Sequence, residues 1–443
     1  MNYDIRGTPV SCSNQAALDL YETALIQYQS YFGDAVASIQ EALQAQPDFI
    51  LGHIFKAGVL MSFSEQRFSK FAQESAAIAE DLFDHANPRE QLLIRAIRQL
   101  VDGHWYQASS ILDKALIDFP RDAFAIQTAH LFDFYQGDAL NLRNRIMRVL
   151  PSWSASIPGY SYILGMYAFG LEECNQYQEA EYHAKRALDM EPRDPWSVHA
   201  GIHVYEMQGK VEEGIDWLEV RAQDWAPENG LAFHNWWHLA LLYLDRGDVA
   251  RVLQLYDEKI LPQPSDLSLN LLDASSLLWR LHLLGFDSGK RAQHVAEAWL
   301  KKLDEERDFY AFNDIHALMA FILADQQQGI TQVLNDLEGW KTQSVTTTNG
   351  SMMHQVGLPL ARALIAFRDK RWGLAMEGLM AIRDRASQFG GSHAQRDVLT
   401  LTLIHAALRN GEKAVARHYL AERNVARPGS ALGWRLHAQT LAS

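Results

Sequence analysis

Three phrases of the chain share one pattern: a helix-forming run, an Ala-Leu pair near its end, and a proline five residues after the alanine. They are YFGDAVASIQEALQAQPD (Tyr31–Asp48), WYQASSILDKALIDFPRD (Trp105–Asp122) and QYQEAEYHAKRALDMEPRD (Gln176–Asp194). The alanines, Ala42, Ala115 and Ala187, are 73 and 72 residues apart. Each interval is two units of about 36 residues, with a more divergent unit between the obvious ones. A unit of that length holds two helices and cannot bury its apolar face alone, so it must stack on its neighbours. Alanine suits a position where another helix comes close. The proline then stops the helix and sets the entry into the next unit. The expected fold is all-α: an α-solenoid of stacked antiparallel helix pairs forming a curved superhelix.

The rest of the chain fits that frame. Ser13 and Asn14 stand where an N-cap belongs, ahead of an amphipathic run from Ala16 to Gln29. Strand signals are nearly absent, since the β-branched run Val345–Thr348 reads as a loop. The stretch 338–354 is the most loop-like and is expected to be an exposed insertion. No segment rich in Gly, Ser or Pro separates two halves, so 1–443 is expected to be a single continuous helical-repeat domain.

Composition narrows the function classes. Hydrophobic residues make up 48% and charged residues 21%, a globular balance that argues against wholesale disorder. A formal charge of −14 disfavours a general nucleic-acid surface, which needs a positive field. Cys12 and Cys174 are the only cysteines, too few for a disulfide framework or a thiolate zinc site. The N-terminus lacks a basic segment followed by an apolar one, and no run approaches 18 apolar residues. The expectation is a cytoplasmic protein with no membrane and no nucleic-acid partner.

The chemistry-bearing residues concentrate between 196 and 273. Two His-x-x-x-His pairs, His199/His203 and His234/His238, stand 35 residues apart, residue for residue. On a helix, positions i and i+4 share a face, so each pair forms a stripe and the two stripes occupy the same place on neighbouring helices. Glu206 extends the first stripe, and Asp273, 35 residues beyond His238, carries the register into a third helix. Such a quartet could hold a divalent metal such as zinc, with Glu206 or Asp273 as ligand, imidazole anchor or base. The plainer reading is a set of packed histidines, hydrogen-bonded to Glu206 and Tyr205, at repeat-core positions. Trp237, beside His238, reads as helix packing or as the wall of a pocket.

Two further constellations have a plain alternative each. Asp314 and His316 act together only if Asp314 is at or near a helix start, and N-capping by Asn313 or Asp314 is the favoured reading. The run GGSHAQRDV (Gly390–Val398) places a glycine turn, Ser392 and Arg396 at a helix start. That arrangement could receive a carboxylate or phosphate, though a capped helix explains it as well. His405 lies two turns after Asp397 and near its face. There is no Walker loop, Rossmann glycine fingerprint, Gly-x-Ser-x-Gly elbow or His-Glu-x-x-His motif.

The phrases PRDPWSVH (Pro192–His199), Glu206-Met207, FHNWWH (Phe233–His238), VGLPLARAL (Val356–Leu364) and GGSHAQRDV resemble the tetratricopeptide repeat protein 38 family. The similarity spans nearly the whole chain, as far as LIHAAL (Leu403–Leu408). It implies an α-solenoid and brings no reaction with it. With Trp196 at the repeat's aromatic fourth position, His199 and His203 replace the usual leucine and tyrosine at the seventh and eleventh.

Two functions are then open. One is a binding protein that holds a peptide, a protein partner or a small molecule in a concave groove centred on His199, His203, Glu206, His234, Trp237, His238 and Asp273. The other is a metal-dependent enzyme, a hydrolase by default, with the four histidines as ligands or acid/base groups. Its catalytic candidates are Glu206, Asp273, Asp314, His316 and Arg396.

Overall fold

The computed structural model describes residues 2–306, 309–339 and 345–441. Ala42, Ala115 and Ala187 are all fully buried, each in the second helix of a pair. The helices holding them are Ala35–Ala45, Trp105–Asp118 and Tyr177–Met190. One further pair lies between successive members of this series, Ile50–Ser62 with Gln66–Asp81 and Ala123–Tyr135 with Ala139–Val149. The period of two units is thus real, and the intermediate unit is the one whose phrase has diverged. The described chain is all-α, built from stacked antiparallel helix pairs of tetratricopeptide type, with one two-stranded exception: Asn2–Tyr3 pairs antiparallel with Pro9–Val10. Replacing Ala115 by Leu is expected to cost about 1–3 kcal/mol through overpacking, measured as a lower urea midpoint with unchanged helical circular dichroism.

Two compact units emerge, and the boundary falls inside the helix Pro195–Met207 rather than in a linker. The first comprises residues 1–201, 223–232 and 346–348. Its helix starts are well specified: Asn14 accepts from the Ala16 and Ala17 N–H groups, and Asn87 and Glu90 form a capping box. At its core Arg89 and Asp122 are both fully buried and paired, Nε to Oδ2 at 2.7 Å. Asp122 also accepts from the Ala125 N–H at 3.0 Å, capping the helix Ala123–Tyr135. Helix Tyr160–Glu173 has Gly170 where a Cβ would lie 2.5 Å from the Arg143 backbone nitrogen, so close packing requires glycine there.

The second unit comprises residues 202–222, 233–345 and 349–443. It contains Ala232–Arg246, Ser268–Leu283, Ala311–Leu323, Leu358–Arg368, His393–Arg409 and Lys413–Ala426, with further helices between them, among them Lys290–Glu306 and Trp372–Ile382. Two expectations change here. The stretch 338–354 is not one exposed loop: Thr348–Met352 is helical and runs through a wider turn at Met353–Gly357 into Leu358–Arg368. Thr348 and Asn349 are buried, because Thr348 Oγ1 accepts from the Trp105 N–H and Asn349 Oδ1 from the Ala311 N–H. Residues 340–344 lie outside the described residues. That Ala311 bond also bears on the second change. The helix Ala311–Leu323 begins before Asn313, with Tyr310 as its N-cap residue, so neither Asn313 nor Asp314 caps it. Among the described residues, no helix is long and apolar enough to cross a membrane.

Candidate functional site

The polar centre of the second unit begins with the C-terminal half of helix Pro195–Met207. His203 and Glu206 lie within one turn, and both are buried. The next long helix, Ala232–Arg246, places His234 and His238 one turn apart. The rings of His203 and His238 are 4.4 Å apart between centroids, and those of His234 and His238 are 4.8 Å apart. One ring nitrogen from each of the three lies within 4.8 Å of the others. The repeat offset therefore does what the spacing implies and brings corresponding positions of successive helices together.

Each histidine of the second pair is held by a carboxylate from another helix. His238 Nδ1 meets Glu206 Oε2 at 2.8 Å, and His234 Nδ1 meets Asp273 Oδ2 at 2.7 Å. A carboxylate at Nδ1 fixes the proton on that nitrogen, orients the ring and leaves Nε2 with its lone pair. The pKa of His238 is pushed well below its ordinary value, by burial first and then by His203, His234, Arg427 and Arg280, so it stays neutral. Trp237 walls the group. Its ring stacks on His234 at 5.3 Å and meets His238 edge-on at 4.8 Å, and its Nε1 donates to Ser276 Oγ. The Tyr205 ring packs on Trp217 at 5.5 Å.

Three arginines complete the centre, and none was marked by the sequence reading. Arg427 Nη1 donates to Glu206 Oε1 at 2.8 Å across 221 residues of chain. Arg423 grips Asp397 with two bonds of 2.8 and 2.9 Å. Burial works against ionising Asp397, but Arg423 and Arg427 hold its carboxyl well below the usual range. Arg280 is buried over the Trp237 ring at 5.4 Å and donates to the carbonyls of Ser276, Ala394 and Gln395. Burial lowers its pKa to about 10. Arg280 did leave a trace in the sequence, as a charge inside the apolar run LLWRLHLL (Leu277–Leu284). Beside Arg427, the turn is closed by Gly209 and Gly429. Gly209 has φ +67°, and a Cβ there would lie 2.5 Å from Gly429 Cα.

The remaining candidates fall as follows. His199 belongs to the first unit, where its ring packs on Trp196 at 4.9 Å and Phe169 at 5.2 Å. Asp314 and His316 are buried in the first turns of Ala311–Leu323, and His316 Nδ1 bonds the Phe312 carbonyl at 2.8 Å. Burial lowers the His316 pKa to about 4, with the Phe312 bond opposing and the Arg280 charge adding. Ser392 and Gln395 form a capping box, so the glycine turn does feed a capped helix. Arg396 reaches back to the Gly391 carbonyl and to His393. His405 faces Arg409 and His282 rather than the centre, with a pKa lowered to about 3 chiefly by burial.

No family model matches the chain. Its solved structural neighbours are helical-repeat proteins. It is similar to the Cut9–Hcn1 hetero-tetramer of APC/C at 12% identity and a TM-score of 0.41, covering 96% of this chain and 76% of that one. It is similar to the human IFIT1 dimer with PPP-AAAA at 13% identity and 0.42, covering 95% and 99%. The TPR domain of P58(IPK) matches at 14% identity and 0.20, covering 97% and 99%. At these scores the likeness says nothing about ligand or partner.

Proposed function

We propose that this chain is a tetratricopeptide-type binding protein of the tetratricopeptide repeat protein 38 family, whose second unit holds a divalent metal ion, zinc being the simplest, on His203, His234 and His238. The carboxylate-anchored pair carries the reading. Glu206 and Asp273 each hold one imidazole by Nδ1, and one ring nitrogen from each of His203, His234 and His238 lies within 4.8 Å of the others. A packed core needs no such anchoring, whereas metal-binding histidines almost always have it. The family assignment gains support from where its phrases fall: FHNWWH supplies His234, Trp237 and His238, and GGSHAQRDV supplies Arg396 and Asp397.

Binding of a protein, peptide or small molecule stays ahead of catalysis as the outcome, because the centre is walled by Trp237 and closed by paired arginines. The hydrolase reading draws no base from Glu206 or Asp273, whose carboxylates are engaged at Nδ1, on the side of each ring away from the proposed ion.

The test is metal content of untagged protein purified without chelators, by inductively coupled plasma mass spectrometry. About one equivalent of zinc, iron or manganese is expected, lost in His203→Ala and His238→Ala with helicity retained. Asp273→Asn should weaken the metal roughly 10- to 100-fold by releasing His234. Absence of metal after each ion has been supplied, with the variants unchanged, would reduce the cluster to packing.

A further inference from the structure

A cleft of about 320 Å³ opens in the second unit beside Met207. Its lining comes from the segment before and within His393–Arg409 and from Lys413–Ala426 and the turn that follows. Arginine dominates its polar lining: Arg383, Arg396, Arg423 and Arg427. The acidic groups there are already engaged, Asp397 by Arg423 and, at 3.8 Å, by Arg427 Nη1, and Asp384 and Glu422 by Arg383. Asp245 accepts from Ser430 Oγ and the Leu432 N–H.

Two observations point to an occupant. Arg427 is only 7% exposed, and its Nη1 serves Glu206 while its Nη2 has no hydrogen-bond partner. A buried guanidinium nitrogen left without an acceptor is costly, and the remedy is an acceptor supplied from the cleft that the residue lines. Independently, the helix His393–Arg409 begins at the same cleft. Seventeen residues give it a full dipole, its positive end beside His393 and Arg396. Arginine forks and a helix N-terminus together favour an anion with several acceptor oxygens.

We infer that this cleft binds a phosphate-type oxyanion, seated at the start of the helix His393–Arg409 against Arg396 and Arg427. The inference goes beyond the metal reading and stands without it, since no histidine of the cluster takes part. The anion is either free phosphate or the phosphate monoester of a larger molecule, and both present the same oxygens.

The probes are inorganic phosphate and glycerol phosphate, titrated calorimetrically into metal-stripped and zinc-loaded protein at constant ionic strength, with chloride as control. Saturable binding of either probe to metal-stripped protein is expected. Binding should weaken roughly ten- to a hundredfold in Arg396→Gln, which lies toward the surface, and in Arg427→Lys, which keeps the charge but loses the fork. A response to both probes identifies a free-anion site, and a response to glycerol phosphate alone identifies an ester site. No saturable binding of either, or binding that both variants leave unchanged, overturns the inference. So does binding seen only with zinc present, which would place the anion on the metal. A protein that takes up no supplied metal yet binds phosphate would refute the metal reading alone.

Discussion

Asp122→Ala is expected to lower stability by about 3–5 kcal/mol, the largest loss of any single substitution considered. The carboxylate has two tasks that fall together. It is the buried counter-ion of Arg89, and it accepts the Ala125 N–H that would otherwise be an orphan at a helix start. Removing it leaves a fully buried guanidinium with the Pro9 carbonyl, Tyr21 and Asp4, the last 3.9 Å away, as its polar company. Asp122→Asn separates the two tasks, since the amide oxygen can still cap while the charge is lost. It should fall between Ala and the natural residue. Denaturant unfolding followed by circular dichroism measures both, and equal midpoints for Ala and Asn would assign the whole effect to charge.

Gly209→Ala is expected to cost about 2–4 kcal/mol, combining the penalty of a left-handed backbone with overpacking. The methyl would strike the backbone of Gly429 rather than a side chain that could swing aside. Relief requires the turn after Lys413–Ala426 to move, and Arg427 moves with it. The substitution should therefore loosen the Arg427–Glu206 bond as well as lower the unfolding midpoint. Hydrogen exchange across residues 203–209 and 423–432 would show faster exchange in both segments together. A slower unfolding transition or exchange confined to one segment would contradict the coupling.

The parts of this protein legible in its sequence are those that repeat. Ala42, Ala115 and Ala187 announce second helices because a small residue at a close approach is required in every unit. The two histidine pairs announce neighbouring helices because the offset equals the repeat. Asp273 was placed by the same rule, counted from His238, yet it bonds His234. Side chains lean toward the N-terminal end of their helix, so partners across neighbouring helices need not share a register position. Glu206 likewise bonds His238 on the next helix rather than a histidine of its own stripe. The arginines follow no local rule. Arg423 and Arg427 sit in ERNVARPGS (Glu422–Ser430), which reads as the end of an exposed helix. Their burial depends on partners at Asp397 and Glu206. Arg280 likewise lies over Trp237 and donates to the Ala394 and Gln395 carbonyls, more than 110 residues away in the chain. The capping role given to Asn313 and Asp314 failed because the side chain that receives the first N–H of that helix belongs to Asn349, 38 residues away.

The bond between Glu206 and Arg427 also sets an order of events during synthesis. The two residues are separated by 221 positions, which a ribosome covers in about 10–40 s at ordinary elongation rates. For that interval Glu206 and the histidine it orients have no counter-ion from the far segment, and helix pairs of the first unit can already stack. The centre is consequently a late, high-contact-order event laid on an early, local one. Growing chains that have not reached residue 427 should carry a wet, unfastened histidine patch, and any ion or anion the mature centre holds must arrive after the scaffold is built.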